Sequence, residues 1–499
     1  MLVDNGVHGD SRVQKTAASA ASAGWDVVLL GRSPNLKPQS WQLGQAQVRL
    51  LPVPTPLAKP AHEYRRHWVR GPFGYPPTGV AARRAQWVKA WRADLEVRLA
   101  ALGLPGRSGG ARRVLAGQAL RSQLLAARVA RLWVSFRHRQ LNRARQARTK
   151  LDTPSDRFYT FFWQKLHGDR AWRRLDPTLW DYELAYGPEI DKLAPDLVHA
   201  HDFRMLGVGA RAKIRAHGKG RRVRLVWDAH EYLPGIKRWT DNARWLPANI
   251  GHEREYSPHA DAVVTVSEGL ADLLRERHRL RESPTVVLNA PNADHGPEAD
   301  DAPVPELREL CGIAPDVPLL VYSGAAAEQR GLGIAVEALP QLPGVHVALV
   351  VPRPEAPYIQ GLLKRAAELG VSGRVHAVPY VPHWQVVPFL SGAQVGLIPI
   401  HHWPNHEIAL ITKFFEYSHA RLPLVVSDVR MMAETVRATG QGEVFRAEDL
   451  PDFVRAVKAV LDDPEGYRAA YDKPGLLTDW TWEAQAVILD RLYQRLLSD

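Results

Sequence analysis

Apolar residues recur along this chain in short runs, separated by amphipathic stretches, near both ends but not in the part between. Val3 and its neighbours form a stub of a strand, followed by a loop holding Gly6 and Gly9. Ser11 is placed to cap a helix over residues 12–23 that Gly24 closes, and 26–30 reads as a buried strand. Strand, loop, helix, strand in that order is a βαβ unit, which announces a parallel sheet. The first strand is so short that the pattern predicts further chain upstream of Met1. The alternation stops at 57–180, where a Pro/Gly cluster at 71–77 punctuates Arg- and Ala-rich helical stretches such as 114–146. It resumes with predicted strands at 196–201, 223–227, 262–266 and 285–288. The acidic, Pro-rich passage 292–305 is the expected linker. A second run places strands at 319–324, 345–351, 374–377, 395–399 and 424–427, with helical segments such as 333–339 and 359–369 between them. The predicted class is α/β, with two Rossmann-like, doubly wound domains at 1–295 and 306–475. The first carries a largely helical insert at 57–180, and a closing segment, 476–499, contains a helix over 482–497.

A chain of 499 residues exceeds what one core usually organises, in keeping with two domains. Hydrophobic content of 45% and charged content of 24% exclude a chain disordered throughout. Charge changes the picture more. Residues 61–150 hold 20 Lys or Arg against three acids, Glu63, Asp94 and Glu96, so a chain of net +12 is a mildly acidic body with one strongly basic insert. Trp68, Trp87, Trp91, Trp133 and Phe136 are interleaved with those arginines. An anionic membrane surface is therefore weighed equally with a merely solvated helical decoration, and nucleic acid lower, because no recognition motif accompanies the charge. The lone Cys311 rules out an intrachain disulfide and suits a reducing compartment. Neither a signal peptide nor a run of roughly 18 apolar residues is visible. The expected location is cytoplasmic, with peripheral attachment to the inner face of a membrane as an option.

Ligands of open parallel sheets bind beyond the carboxyl ends of strands, often on helix N-termini. Polar residues gather there at 6–12, 199–202, 228–231, 323–331 and 401–417. In the last of these a helix is expected to begin at Thr412, whose free amides and positive dipole end suit a diphosphate. Lys413 adds a full charge, Arg330 is placed to add a second, and Glu416 lies one turn on, able to accept from ribose hydroxyls. His401, His402 and His406 lack a matching set of metal ligands, and no metal is expected.

These segments together resemble glycosyltransferase family 4, also called group 1, with the GT-B fold. The marks are Gly9-Asp10-Ser11-Arg12-Val13, the strand ending His199-Ala200-His201, and Trp227-Asp228-Ala229-His230-Glu231. In the second domain they are Tyr322-Ser323-Gly324 with Arg330-Gly331-Leu332, and Lys413-Phe414-Phe415-Glu416-Tyr417 followed by Leu422-Pro423. The resemblance implies two domains facing across a cleft, with the final helix packing back on the first. His201 would face the donor sugar, Arg330 and Lys413 would hold the diphosphate, and Glu416 the ribose. Gly9, Gly324 and Thr412 would join the donor site, while Asp10, Arg12, His230 and Glu231 would line the cleft. The acid that the family usually carries eight residues before Glu416 is replaced by Ile408, leaving the adjacent Glu407 as the candidate; the Arg that tends to follow the first glycine is replaced by Ala325. The implied activity is hexosyl transfer from a UDP- or GDP-linked sugar, as co-substrate and without another cofactor, to a glycan, lipid-linked or small-molecule acceptor. Retention of configuration, independence from metal, and a place in cell-envelope or polysaccharide synthesis come with it. A nucleotide-sugar epimerase on the same fold and a non-catalytic GT-B sugar-binding or assembly protein are the alternatives.

Overall fold

The computed structural model describes residues 1–55, 78–102, 110–236, 242–293 and 303–498. In the first lobe, β1 (Val28–Arg32), β2 (Gln39–Leu43) and β3 (Ala46–Leu51) pair in the order β1-β3-β2. β4 (Leu197–His201), β5 (Arg224–Ala229), β6 (Ala262–Thr265) and β7 (Thr285–Val286) follow in sequential order. Leu2 joins the two groups by bridging Leu30 and Ala200. Every pairing is parallel except β2 with β3. That hairpin goes beyond the strands predicted above, although its signal is present. Ala46, Val48 and Leu50 alternate inward with period two, and Gly44, at φ +57°, opens a two-residue turn that sets Leu43 opposite Ala46.

Helix α1 (Ser11–Ser22) differs from expectation at its start. Asp10, not Ser11, has the non-helical backbone of an N-cap, and its carboxylate accepts from the Val13 amide. The carboxylate thereby satisfies one of the free N–H groups that a helix start leaves.

The second lobe is a six-stranded parallel sheet. Its strands are β8 (Leu319–Ser323), β9 (His346–Val351), β10 (Val375–Pro379), β11 (Val395–Ile398), β12 (Leu424–Ser427) and β13 (Gly442–Phe445), in the order β10-β9-β8-β11-β12-β13. The β8, β11 and β12 runs are buried throughout, as strands covered by helices on both faces must be. The order reverses between β8 and β11, creating the switch point at which such sheets bind ligands.

The chain crosses between the lobes twice. After β7 it passes through 288–305, of which 294–302 lie outside the described residues. It returns at Trp482, and the helix Trp482–Ser498 sets Trp482, Leu489, Leu492, Tyr493 and Leu496 into the core of the first lobe beside Val13, Leu29 and Val226. The two crossings are laced together. The Trp482 amide donates to Pro291 O at 2.8 Å, the Leu288 amide to Gln485 Oε1 at 2.8 Å, and the Ala293 amide to Glu483 Oε2 at 2.9 Å.

Residues 56–176 with 238–247 form a separate compact unit. It contains α2 (Thr78–Ala101), α3 (Ala111–Lys150) and α4 (Pro154–His167). α2 and α3 share a small core of Leu95, Leu120 and Ala127 with Trp91, Leu99 and Leu124 at its margin. α4 begins with a capping box between Thr153 and Asp156 and has Pro154 in its first turn. The Pro/Gly cluster at 71–77 and Trp68 lie outside the described residues. No helix among the described residues is long and apolar enough to cross a membrane.

Candidate active site

Two glycines shape the second lobe's contribution. β8 ends at Ser323, and the chain turns at Gly324 with φ +119°, where an added Cβ would lie 3.2 Å from Lys413 Nζ. Past Gly324 the Tyr322 hydroxyl donates to Ala325 O at 2.6 Å, and the His401 amide donates to Gln329 O at 3.0 Å. At Gly331, φ +67°, a Cβ would come within 1.8 Å of Pro399 O. Only glycine lets this loop lie directly on the chain leaving β11, and that contact seats Arg330 at the carboxyl edge of the sheet.

The helix Thr412–His419 starts at the same edge. Its N-cap, Ile411, supplies no side-chain acceptor for the first amides. Lys413 is 9% exposed, with its ammonium 3.7 Å from the Tyr322 ring centroid. Burial, reinforced by the Arg330 charge and opposed by Glu416, holds Lys413 well below the ordinary lysine range. Burial also raises Glu416, against the pull of Lys413 and Lys15. Among the described residues no carboxylate forms an ion pair with Lys413 or Arg330. Two basic side chains and an uncapped helix end thus lie near one another, with Glu416 and Glu231 close but in no ion pair with them among the described residues, the electrostatic pattern of an anion seat.

The first lobe faces this with the loop at 5–10. Asn5 Nδ2 donates to Asp10 Oδ2 at 2.7 Å, Gly9 has φ +81°, and the His8 ring stacks on Trp41 at 4.6 Å. A cavity of about 430 Å³ is lined by Asn5, His8, Gly9, Asp10 and Arg12 from this lobe and Thr412 from the other. That volume is within the range of small-molecule sites. The Thr412 hydroxyl itself accepts from Asn289 Nδ2 at 2.9 Å, so it ties the crossing segment to the helix start.

Arg12, on the cavity wall, turns its guanidinium inward. It meets Asp228 in a two-point pair at 2.9 and 2.8 Å and donates to Val287 O at 2.7 Å. Three imidazoles surround the same carboxylate. His201 Nδ1 and His230 Nε2 each lie 3.2 Å from Asp228 Oδ2, and His199 Nε2 lies 3.5 Å away. The Tyr493 hydroxyl sits 2.5 Å from His199 Nδ1. His201, expected to face the donor sugar, is enclosed at 0% exposure and stacked on His199. Burial, with His199 beside it, holds His201 well below the ordinary imidazole range. His230, 17% exposed, is the ring nearer the surface. Glu231 is raised by burial and lies near enough to Arg330 to be drawn back down by its charge.

Glu407 is occupied elsewhere. Its Oε2 accepts from the Arg430 amide at 2.8 Å, at the start of the helix Arg430–Thr439, and its Oε1 lies 2.5 Å from His402 Nδ1. Ile408 is buried, and its carbonyl accepts from Ser267 Oγ in the first lobe. The structure therefore brings Arg330, Lys413, Glu416 and Gly324 together and leaves Glu407 bracing a neighbouring helix. It adds Lys15, whose ammonium donates to Asn289 Oδ1 at 3.0 Å and to Ala290 O and lies 4.8 Å from the Trp482 ring centroid. A lysine on an otherwise Ala-, Val- and Thr-rich helix face was the only sequence signal for it.

Residues 77–291 match the model of Glycosyltransferase Family 4, and 317–463 that of Glycosyl transferases group 1. The chain belongs to family 4 of the glycosyltransferases. This transferase is 25% identical over 340 residues to a glycogen synthase of Mycobacterium tuberculosis, covering 66% of this chain and 71% of that one. It is 26% identical over 311 residues to a D-inositol 3-phosphate glycosyltransferase of Nocardia farcinica, covering 59% and 65%. Among solved structures, the sucrose-phosphate synthase of Thermosynechococcus elongatus superposes with a TM-score of 0.60 at 16% identity, over 100% of this chain and 99% of that one. The shared fold is GT-B.

In the transferase, His199, His201 and Asp228 also meet the count and spacing of a metal site. Arg12 already claims both oxygens of Asp228, and a second cation there would face its repulsion, so the donor set does not fit a divalent ion. The charge reaches His230 instead. Burial alone would lower this ring, but Asp202 and Asp228 bring it up to about 9. Because that value lies above the ordinary 6.5, the stabilisation is complete below pH 6.5 and disappears as pH rises through 9. His230→Asn is expected to flatten the fall of unfolding midpoint over that window. An unchanged slope in a pH series of melting curves would refute the charged assignment.

Proposed function

We propose that this transferase moves a hexose from a UDP- or GDP-linked donor to a glycan, lipid-linked or small-molecule acceptor, with retention of configuration and without an obligatory metal. One observation carries the reading: Lys413 and Arg330 lie close together by an uncapped helix start, and among the described residues no acid forms an ion pair with either. Breaking the anomeric C–O bond leaves new negative charge on the nucleoside diphosphate. Fixed cations and amide dipoles aimed at that charge lower the barrier as it develops. Glu416, close to both Lys413 and Lys15, is suited to ribose hydroxyls, while Gly324 lets the chain approach the phosphates without a side chain. His230, the least buried of the three imidazoles around Asp228 and protonated at neutral pH, is our candidate to meet the donor. Relatives named as glycogen synthase and as a lipopolysaccharide core glycosyltransferase support a place in polysaccharide or cell-envelope synthesis.

The test is thermal unfolding against a panel of nucleotide sugars, with and without chelator. At a hundredfold excess over Kd, a bound donor stabilises by about 2.7 kcal/mol. At least one UDP- or GDP-sugar is expected to raise the midpoint, and chelator to leave that rise intact. No response across the panel would end the proposal. Product analysis separates the epimerase alternative, which converts donor with no acceptor present.

A further inference from the structure

The helical insert presents an apolar stripe where solvent would be expected. On α3, Leu120, Leu124 and Ala127 face α2. Leu125, Val129, Leu132, Trp133 and Phe136 occupy the opposite side at helical spacing, 64, 60, 62, 50 and 45% exposed. Arg121, Arg128 and Arg139 fall along one border of this stripe and Arg137 along the other. The 40-residue helix holds eleven Lys or Arg and no acid. α4 repeats the motif with Phe158, Phe161, Phe162 and Leu166, exposed at 69, 57, 46 and 59%, between Arg157 and Lys165. Contiguous apolar patches of this kind mark interaction surfaces.

We propose that the outward faces of α3 and α4 dock this transferase on an anionic lipid surface, the aliphatic and aromatic side chains entering the headgroup boundary and the arginines meeting lipid phosphates. Charge decides among occupants. A second copy would set two acid-free basic helices against each other. A nucleic acid would satisfy the arginines but leave Leu125, Val129 and Leu132 without partners. A lipid interface takes both the charge and the apolar stripe. The proposal is independent of which donor the cleft accepts.

The full chain is to be sedimented with vesicles of phosphatidylcholine alone or mixed with phosphatidylglycerol. Binding is expected only with phosphatidylglycerol. It should fall tenfold or more in the triple variant Arg121→Gln, Arg128→Gln, Arg139→Gln, and equally in Leu132→Gln, Trp133→Ala, Phe136→Ala. Circular dichroism and the donor-induced thermal shift should be unchanged in both, which separates this result from failure of the donor reading. If either triple variant misfolds, quenching of the native chain's tryptophans by brominated lipid replaces it, and absence of quenching refutes the proposal. So does equal binding to both vesicle types, displacement by a single-stranded RNA that binds more tightly than the vesicles, or self-association through the stripe without vesicle binding.

Discussion

Replacing Lys413 with methionine is expected to lower kcat by roughly 10²–10³, the usual cost of removing one preorganised group from a developing negative charge, while the free protein stays as stable or gains. The two effects share a cause. Lys413 is buried over Tyr322 with Arg330 near it and, among the described residues, no acid in an ion pair with it, so its ammonium is held against its own solvation. Methionine keeps the packing of the stem and removes the charge that the empty site disfavours. The donor-induced rise in unfolding midpoint should shrink with it, because the group that disfavours the free state is the one that binds diphosphate. A merely structural lysine would show the reverse, lower stability with near-normal turnover. Transfer within threefold of the native rate would remove Lys413 from the site.

Asp228→Asn is expected to be the most damaging single change to stability in the first lobe, about 3–5 kcal/mol. The carboxylate is 1% exposed and balances Arg12 at 4%, with three imidazoles around it. Burial would raise its pKa, but Arg12 and His230 hold it well below the ordinary carboxylate range. The pair's contribution is therefore present above the ordinary value of 3.8 and lost only as pH falls through the lower folded value. An asparagine leaves the guanidinium buried without its counter-charge. Combining it with Arg12→Met should cost far less than the single changes summed, which a double-mutant cycle in urea measures. Additive costs would show that Arg12 and Asp228 act separately.

How far this was legible depends on the distance over which each feature is made. The strands Leu319–Ser323 and His346–Val351 announce themselves as unbroken apolar runs, and the helix start at Thr412 as a polar passage after such a run. Lys413 and Glu416 were therefore readable as lying one turn apart at that helix start, and Arg330 as following another strand of the same sheet. The Arg12–Asp228 pair spans 216 residues and looks in sequence like two unrelated polar positions. The same holds for His201, whose place after a strand does not reveal whether its ring points to the cleft or into the lobe. Glu407 was misleading for a local reason: one residue from the expected acid, it is turned by the short helix Pro404–Glu407 toward the Arg430 amide. The hairpin at 39–51 was written in period two but is short and isolated among longer α/β signals.

The paired crossings between the lobes limit how the cleft can open. A single connecting strand acts as a swivel and permits rotation about its own length. Two strands side by side, stitched by Trp482, Gln485 and Glu483 to the passage from Leu288 to Ala293, resist torsion as a piano hinge does and leave bending about one line. Lys15 sits on that line, anchored to Asn289 and Ala290. The stitched pair thus holds the start of the Thr412 helix, tied to Asn289, in register with the Gly9 loop across the cavity they share.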